Sequence, residues 1–161
     1  MTHPAWLDNA IFYEIYPQSF LDTNADGIGD FQGIIEKLDY IQTLGCNAIW
    51  MNPCFESPFG DAGYDVADYY KAAPRYGTNA DLKRLFEAVH ERGMHILLDL
   101  VPGHTSVEHK WFKESIKAEK NEYTDRYVWT DSVWEAPADY GCIRGISDRD
   151  GSCMVNFFSH Q

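Results

Sequence analysis

A short acidic segment early in the chain, residues 22–30, alternates oxygen-bearing residues with small ones. Oxygens at every second position can point toward one centre, and hard cations such as Ca²⁺ take six to eight oxygen ligands. Gly27 and Gly29 allow the sharp backbone turns that wrapping an ion requires. The segment therefore predicts a metal loop, and its expected ligands are Asp22, Asn24, Asp26, Ile28 and Asp30.

This loop differs from an EF-hand in two respects. The twelfth position of an EF-hand loop carries a glutamate, whereas the corresponding residue here is Gly33. An alternating strand pattern, residues 11–16, also precedes the loop where an EF-hand has a helix. Ca²⁺ is favoured over Mg²⁺ because a flexible oxygen cage tolerates irregular geometry. A solvated acidic turn without a metal is the alternative.

The elements that would position this loop follow a repeating order. Three apolar, β-rich runs, residues 10–16, 47–51 and 95–101, predict strands, and helical periodicity over residues 31–44 and 78–93 separates them. The order β-α-β-α-β predicts parallel strands joined by right-handed crossovers, and hence an α/β fold. Long polar loops follow each strand, and active sites of parallel α/β proteins lie at that end.

Local signals refine this pattern. Thr78 followed by Asp81 predicts a capping box at the start of the second helix. Residues 107–120 predict an amphipathic helix, and residues 123–161, with a tight turn at 148–151, predict a short-stranded excursion from the sheet. Three strands cannot close a (β/α)8 barrel, and a small open parallel sheet would leave two long apolar edges. The simplest interpretation is that the chain is the front part of a longer protein.

Composition excludes several classes of partner. A formal net charge of −12 and a pI near 4.7 argue against nucleic acid and anionic membrane surfaces. No apolar run is long enough to span a bilayer, and the amino terminus lacks the pattern of a signal peptide. The four cysteines show no CxxC spacing, which favours reduced thiols in a cytoplasmic protein. A Cys142–Cys153 bridge is the alternative.

Four different motifs follow one another through most of the chain. They are residues 12–20 (FYEIYPQSF), the acidic loop 22–30, residues 61–69 (DAGYDVADY) and residues 99–106 (DLVPGHTS). Together they resemble the alpha-amylase family, glycoside hydrolase family thirteen, and within it the oligo-1,6-glucosidase, alpha-glucosidase and trehalose synthase branch. The family fold is a TIM barrel with an irregular domain inserted after strand three. The resemblance implies that residues 1–104 form the first three β/α units of the barrel and that residues 105–161 begin the inserted domain.

The resemblance also implies a role for each site residue. Asp61 would bind hydroxyls of the sugar that is cleaved, and Tyr64 would stack on its apolar face. His104 would donate to the 6-hydroxyl, and Asp99 would brace the site through hydrogen bonds. Carboxylates and an imidazole in a partly dry cleft suit a neutral, hydroxyl-rich ligand. An exposed acid, a packed tyrosine, a capping histidine and a structural acid are the alternatives.

Two departures from the family pattern limit what the chain can do. Gly103 stands where the family usually has the asparagine that helps ligate calcium beside the inserted domain, so any metal is expected in loop 22–30 instead. The family's catalytic Asp and Glu come from strands four and five, beyond residue 161. Retaining glycosidases need such a carboxyl pair about 5–5.5 Å apart. The chain alone is therefore predicted to be inert.

The sequence favours the amino-terminal part of a retaining alpha-glycosidase or transglycosylase that acts on alpha-linked oligosaccharides. A non-catalytic protein on the same scaffold, such as the extracellular subunit of an amino-acid transporter, is a second hypothesis. A small metal-binding α/β module is a third. The exact sugar and linkage stay open at this point.

Overall fold

A computed structural model of the chain describes residues 3–130, 143–146 and 153–156. Its strands and α-helices, in chain order, are β1 (Phe12–Ile15), α1 (Phe31–Glu36), α2 (Leu38–Thr43), β2 (Ala48–Met51), β3 (Phe55–Glu56), β4 (Asp68–Ala72), α3 (Asn79–Glu91), β5 (His95–Leu98), α4 (Lys110–Ser115), β6 (Trp129–Thr130), β7 (Ile143–Ile146) and β8 (Cys153–Asn156). Short 3-10 helices span Ala5–Asn9, Pro17–Ser19 and Thr124–Arg126. The chain folds into two compact units, one of residues 1–54 and 70–100, the other of residues 55–69 and 101–161.

The first unit contains the predicted parallel sheet, with strand order β1-β2-β5. Ala48 pairs with Phe12 on one side and with His95 on the other. The strand prediction for residues 95–101 was too long, because β5 ends at Leu98. The Asp99 N–H still donates to the Met51 carbonyl at 2.9 Å, so the ladder continues for one more residue before the chain leaves the sheet.

The helix predicted over residues 31–44 is in fact two helices. Lys37 has φ −102° and ψ 1°, outside the helical region, and separates α1 from α2. The apolar positions Phe31, Ile34, Leu38 and Ile41 are nevertheless all fully buried. The break preserves the buried face, so the apolar periodicity on which the prediction rested could not reveal it.

Helix α3 confirms the predicted capping box. The Thr78 side chain accepts from the Asp81 N–H, and the Asp81 carboxylate accepts from the Thr78 N–H at 2.8 Å. Such a cap stabilises a helix by about 1 kcal/mol. The helix contributes Leu82, Leu85 and Val89 to the core of the first unit.

The opposite face of the parallel sheet is open in the described part of the chain. Glu14, Trp50 and Leu97 stand in register across the three strands, and all three are exposed. Trp50 on the central strand and Leu97 on the neighbouring edge strand expose 42% and 40% of their surface, so two large apolar residues lie side by side in the open. An open apolar face of this kind agrees with the expectation that the sheet is part of a barrel.

The second unit is built from short elements. Its strands β6, β8 and β7 form an antiparallel sheet in that order, as the short-stranded prediction for the tail requires. Elsewhere in the chain, β3 and β4 form a two-stranded sheet. The helix predicted over residues 107–120 is shorter, because His109 caps α4 through its Nδ1 atom and the helix ends at Ser115. The predicted turn at 148–151 and the Cys142–Cys153 alternative lie outside the described residues.

The described helices and two of the cysteines relate to the predictions made from composition. None of the described helices combines the length and apolarity that crossing a bilayer would take. Cys46 and Cys54 are free thiols, and burial raises the pKa of Cys54 to about 12. The Cys54 side chain is therefore a neutral thiol that packs in the core of the first unit.

Candidate functional site

In the second unit, the loop 57–65 is wound around a single carboxylate. Asp65 is fully buried, and it accepts hydrogen bonds from the Ser57 hydroxyl and the Gly60 N–H at 2.8 Å and from the Asp61 N–H at 3.2 Å. The Ser57 hydroxyl oxygen also accepts from the Phe59 N–H at 2.8 Å. A buried charge is tolerated only when such donors compensate it, so Asp65 determines the shape of the loop.

The backbone of this loop includes left-handed conformations. Phe59 and Ala62 have φ of 59° and 53°, which is uncommon for residues with a Cβ, and Gly63 has φ of 98°. The Tyr64 N–H donates to the Asp61 carbonyl at 2.8 Å and closes a turn whose two central residues, Ala62 and Gly63, have positive φ. This turn sets the spacing between Asp61 and Tyr64.

The backbone of Tyr64 links the candidate site residues Asp61 and His104. Its N–H bonds to Asp61, and its carbonyl oxygen lies 3.1 Å from Nε2 of His104. Because a carbonyl only accepts, Nε2 is the donor in this contact, so that N–H is already used and the predicted donation to the sugar 6-hydroxyl is not made by it in this geometry. All three side chains are half-buried. The structure thus brings Asp61, Tyr64 and His104 together, while their binding roles stay predictions.

The segment that carries His104 is fixed at several points. The Tyr69 hydroxyl donates to the carbonyl oxygens of Val101 and His104 at 2.5 and 3.0 Å. The hydroxyls of Thr105 and Tyr127 lie 2.7 Å apart. In addition, the backbone N–H of Ser106 donates to the Val66 carbonyl at 2.9 Å. These contacts anchor both sides of His104.

A cavity of about 260 Å³ adjoins His104, and its lining residues are Pro102, Gly103, His104, Thr105, Trp111, Arg126 and Tyr127. The Arg126 guanidinium lies over the Trp111 ring at 4.4 Å from its centroid. A Cβ atom at Gly103 would meet no other atom within 4 Å, so packing does not demand a glycine there. The departure from the family's asparagine leaves open space rather than relieving a clash.

Asp99, the remaining predicted sugar-site residue, belongs to the first unit. It follows the last residue of β5 and is half-buried. Its backbone bond to Met51 places it at the carboxyl end of the parallel sheet, where Asn52 also donates to Glu14 at 3.3 Å. This is the end at which α/β proteins carry their sites, and the bracing role of Asp99 stays a prediction.

The predicted metal loop, residues 22–30, lies in the first unit and is closed by its own hydrogen bonds. Asp22 accepts from the N–H groups of Gly27 and Ala25 at 2.7 Å and of Asn24 at 3.0 Å. The Gly27 bond is the main reason why the pKa of Asp22 is lowered. Asp26 accepts from the Ile28 N–H at 2.8 Å. The carboxylates therefore shape the loop.

Positions 27 and 29 of this loop favour glycine for different physical reasons. Gly27 has φ of 88°, which favours glycine. Gly29 is packed so closely that a Cβ atom would lie 2.1 Å from the Pro17 carbonyl oxygen. Its N–H donates to the Gln18 carbonyl at 2.9 Å, which ties the loop to the segment after β1. Only glycine can occupy this position.

Asp30 lies at the base of the loop and caps α1. It accepts from the Gly33 N–H at 2.7 Å and from the Thr23 N–H at 2.9 Å, and it is only 6% exposed. Within the described residues, no group of three or more His, Cys, Asp or Glu side chains has the arrangement of a metal site. The predicted set also includes the Asn24 amide and the Ile28 carbonyl oxygens, and the metal site stays a prediction.

Sequence reasoning missed two residues that organise the site. Asp65 belongs to the 61–69 motif but has no predicted role, although an acid between Tyr64 and the buried Val66 requires compensating donors. Tyr69 gave no local signal, because its acceptors Val101 and His104 lie more than thirty residues away in sequence. The first could have been found from burial logic, whereas the second required the fold.

Comparison with known proteins places this geometry in a family. The family model described as "Alpha amylase, catalytic domain" matches residues 14–149. The oligo-1,6-glucosidase of Bacillus sp. (strain F5) is 49% identical over 140 residues, which cover 86% of this chain and 28% of that protein. The crystal structure of Bacillus licheniformis trehalose-6-phosphate hydrolase superposes with a TM-score of 0.86 at 42% identity, covering 96% of this chain and 29% of that one.

An isomaltulose synthase mutant from Erwinia rhapontici, solved in complex with its natural substrate sucrose, superposes with a TM-score of 0.88 at 42% identity, covering 99% of this chain and 30% of that one. The chain thus spans less than a third of the length of these relatives. It belongs to the alpha-amylase family, and its fold is the amino-terminal part of the family's TIM barrel. The predicted division at residue 104 stays a prediction.

Proposed function

We propose that this chain is the amino-terminal part of a retaining alpha-glycosidase or transglycosylase that acts on short alpha-linked oligosaccharides. The observation that carries the proposal is the direct linkage of Asp61, Tyr64 and His104 through the Tyr64 backbone. A carboxylate and an aromatic ring on one loop, with an imidazole on a second segment bonded to that loop, provide the polar and apolar contacts that a glucosyl ring needs. The relatives named for glucosidase and trehalose-6-phosphate hydrolase activities support the substrate class.

The catalytic carboxylates in this proposal come from the part of the complete enzyme that corresponds to the rest of the relatives' length. The complete enzyme is expected to hydrolyse an aryl alpha-glucoside with retention of anomeric configuration. The 161-residue chain by itself is expected to give no turnover above buffer. Turnover by the chain alone would contradict the assignment of the catalytic pair to other strands.

Substitution of the site residues tests the proposal directly. Asp61→Asn and His104→Ala in the complete enzyme should each lower kcat/KM by about 100-fold or more, because charged and imidazole contacts that strengthen in the transition state are lost. Glu122→Gln removes an exposed carboxylate from the same unit and should leave kcat/KM unchanged. If the two site variants behave like Glu122→Gln, the proposed sugar site is wrong.

We further propose that loop 22–30 binds Ca²⁺. The predicted donors are all oxygens, which suits a hard cation. An ionised carboxylate has about four lone-pair positions. Asp26 has one bond on each oxygen, from Ile28 N–H and the Asn24 amide, so its carboxylate retains acceptor capacity. Asp26 is thus the predicted ligand with the most room for an ion, and a bound ion would add stability to the loop rather than take part in the chemistry.

Melting temperature measured with Ca²⁺ and with a chelator tests this metal site. Ca²⁺ at about 100 times its dissociation constant should stabilise the fold by roughly 2.7 kcal/mol. Asp26→Ala should abolish the shift, and the matched control Glu91→Gln, an exposed acid in the same unit, should retain it. An identical melting temperature in both conditions would contradict Ca²⁺ binding by the loop.

A cytoplasmic location is also proposed, and the free thiols Cys46 and Cys54 support it. Fractionation of the source cells followed by immunodetection of the enzyme tests the location. Recovery of the enzyme outside the cytoplasm would contradict it.

A further inference from the structure

We infer that Tyr69 is a positioning residue for His104, because its hydroxyl joins the two ends of the turn that presents the imidazole. The hydroxyl lies 2.5 Å from the Val101 carbonyl oxygen and 3.0 Å from the His104 carbonyl oxygen. A phenol has one proton, so the two oxygens share it. The inference rests on the proposed role of His104 in holding the sugar.

The middle of turn 101–104 provides no alternative support. Pro102 and Gly103 are both exposed. A Cβ atom at Gly103 would find no neighbour within 4 Å, so a side chain there would enter open space rather than pack against the fold. Proline and glycine are typical central residues of turns, and glycine leaves the backbone the widest freedom. The position of His104 therefore depends on how the ends of the turn are held.

The Tyr69 ring is well placed to hold those ends. Its centroid lies 5.6 Å from that of His109, 6.0 Å from that of Trp111 and 6.1 Å from that of Phe55. Burial, and next the neighbouring Tyr127, raise the pKa of Tyr69, so the group remains a donor at neutral pH. A phenylalanine would keep these ring contacts and lose only the hydroxyl.

Tyr127 provides a matched comparison within the same unit. Its hydroxyl contacts the Thr105 hydroxyl at 2.7 Å, next to His104 in sequence, but that contact is to a side chain. The Tyr127 ring packs edge-on against Phe112 at 5.3 Å, which Phe would preserve. Tyr69→Phe and Tyr127→Phe thus remove the same atom from two neighbouring anchors, and only the first holds the backbone of the turn.

The test uses the complete enzyme and two substrates, an aryl alpha-glucoside and its 6-deoxy analogue, which lacks the hydroxyl assigned to His104. Tyr69→Phe should lower kcat/KM about tenfold on the glucoside, the effect of one displaced hydrogen bond, and under about twofold on the 6-deoxy analogue. Tyr127→Phe should change kcat/KM by the same factor on both substrates. Tyr69→Phe added to His104→Ala should cause under about twofold further loss.

Each outcome decides between the two proposals. Tyr69→Phe could lower kcat/KM by the same factor on both substrates while His104→Ala lowers it more on the glucoside than on the 6-deoxy analogue. Tyr69 would then be only structural, and the inference would be overturned. The proposed role of His104 would stand. If His104→Ala itself lowers kcat/KM by the same factor on both substrates, the proposed role of His104 fails, and the inference fails with it. The inference is supported when Tyr69→Phe and His104→Ala share the substrate preference and the double variant resembles His104→Ala.

Discussion

Two loops of this chain are each wound around an aspartate carboxylate, and they differ in the depth at which that carboxylate lies. In loop 22–30, Asp22 gathers three backbone N–H groups, and residues 23–27 around it are exposed. In loop 57–65, Asp65 gathers two N–H groups and one hydroxyl and is fully buried. The same hydrogen-bonding device therefore occurs once near water and once in the interior.

This difference in burial indicates different roles for the two hydrogen-bonded carboxylates. A buried carboxylate has lost its hydration, so its hydrogen bonds must be retained for the protein to fold. An exposed carboxylate can exchange those bonds for water or for a cation at little cost. Loop 57–65 is accordingly a rigid mount for Asp61 and Tyr64, whereas loop 22–30 is a region whose stability a ligand can change.

The strongest test of this difference is the removal of the buried carboxylate. Asp65→Ala should lower the free energy of unfolding by roughly 3 kcal/mol, because two N–H groups and a hydroxyl lose a charged acceptor. Asp65→Asn should lose less, since its amide oxygen replaces one acceptor. Urea denaturation measures both values. Asp125→Asn, an exposed acid paired with Lys120 in the same unit, should change stability by under about 1 kcal/mol. Equal losses for Asp65→Ala and Asp125→Asn would contradict the argument from depth.

Asp30 sharpens the comparison because it is a buried carboxylate at the base of the exposed loop. If depth decides, Asp30→Ala should resemble Asp65→Ala and lower the free energy of unfolding by about 2 kcal/mol through loss of the α1 cap and of the Thr23 bonds. Asp30→Ser should recover about half of this loss, because serine can also cap a helix. Thermal unfolding of the three proteins gives the result. Equal stability of the Ala and Ser variants would show that the cap contributes little.

The sheet and the second crossover helix could be predicted because their signals are local. Apolar runs determined the three parallel strands, and Thr78 with Asp81 determined the start of α3. The break at Lys37 could not be predicted, because the apolar period continues across it. The strand prediction extended past Leu98 for a similar reason, since Leu100 and Val101 are apolar although Leu100 is 71% exposed.

The site was predicted only in part. The family resemblance supplied Asp61, Tyr64 and His104, and motif spacing cannot reveal that the Tyr64 backbone joins the other two. Tyr69 was beyond reach, because a hydroxyl that bonds two main-chain oxygens leaves no pattern in side-chain chemistry. Long-range contacts to backbone atoms are thus the part of a site that sequence motifs describe least.

The smallest expected effect concerns Asp22, the carboxylate that the exposed residues 23–27 surround. Its pKa is held below the usual 3.8, mainly by the Gly27 N–H and further by those of Ala25 and Asn24. A carboxylate whose pKa is lower in the folded state stabilises the fold above its unfolded pKa and loses that contribution as pH falls through the folded value. Stability should therefore decrease on acidification below about pH 3.8, and Asp22→Asn should flatten that decrease.

Urea denaturation at several acidic pH values measures the slope, with Asp81→Asn as positive control because the Thr78 hydroxyl lowers the pKa of Asp81. A slope unchanged by Asp22→Asn but reduced by Asp81→Asn would show that the hydrogen bonds of the exposed loop add nothing in water. The contrast with Asp65 would then be one of kind rather than of degree.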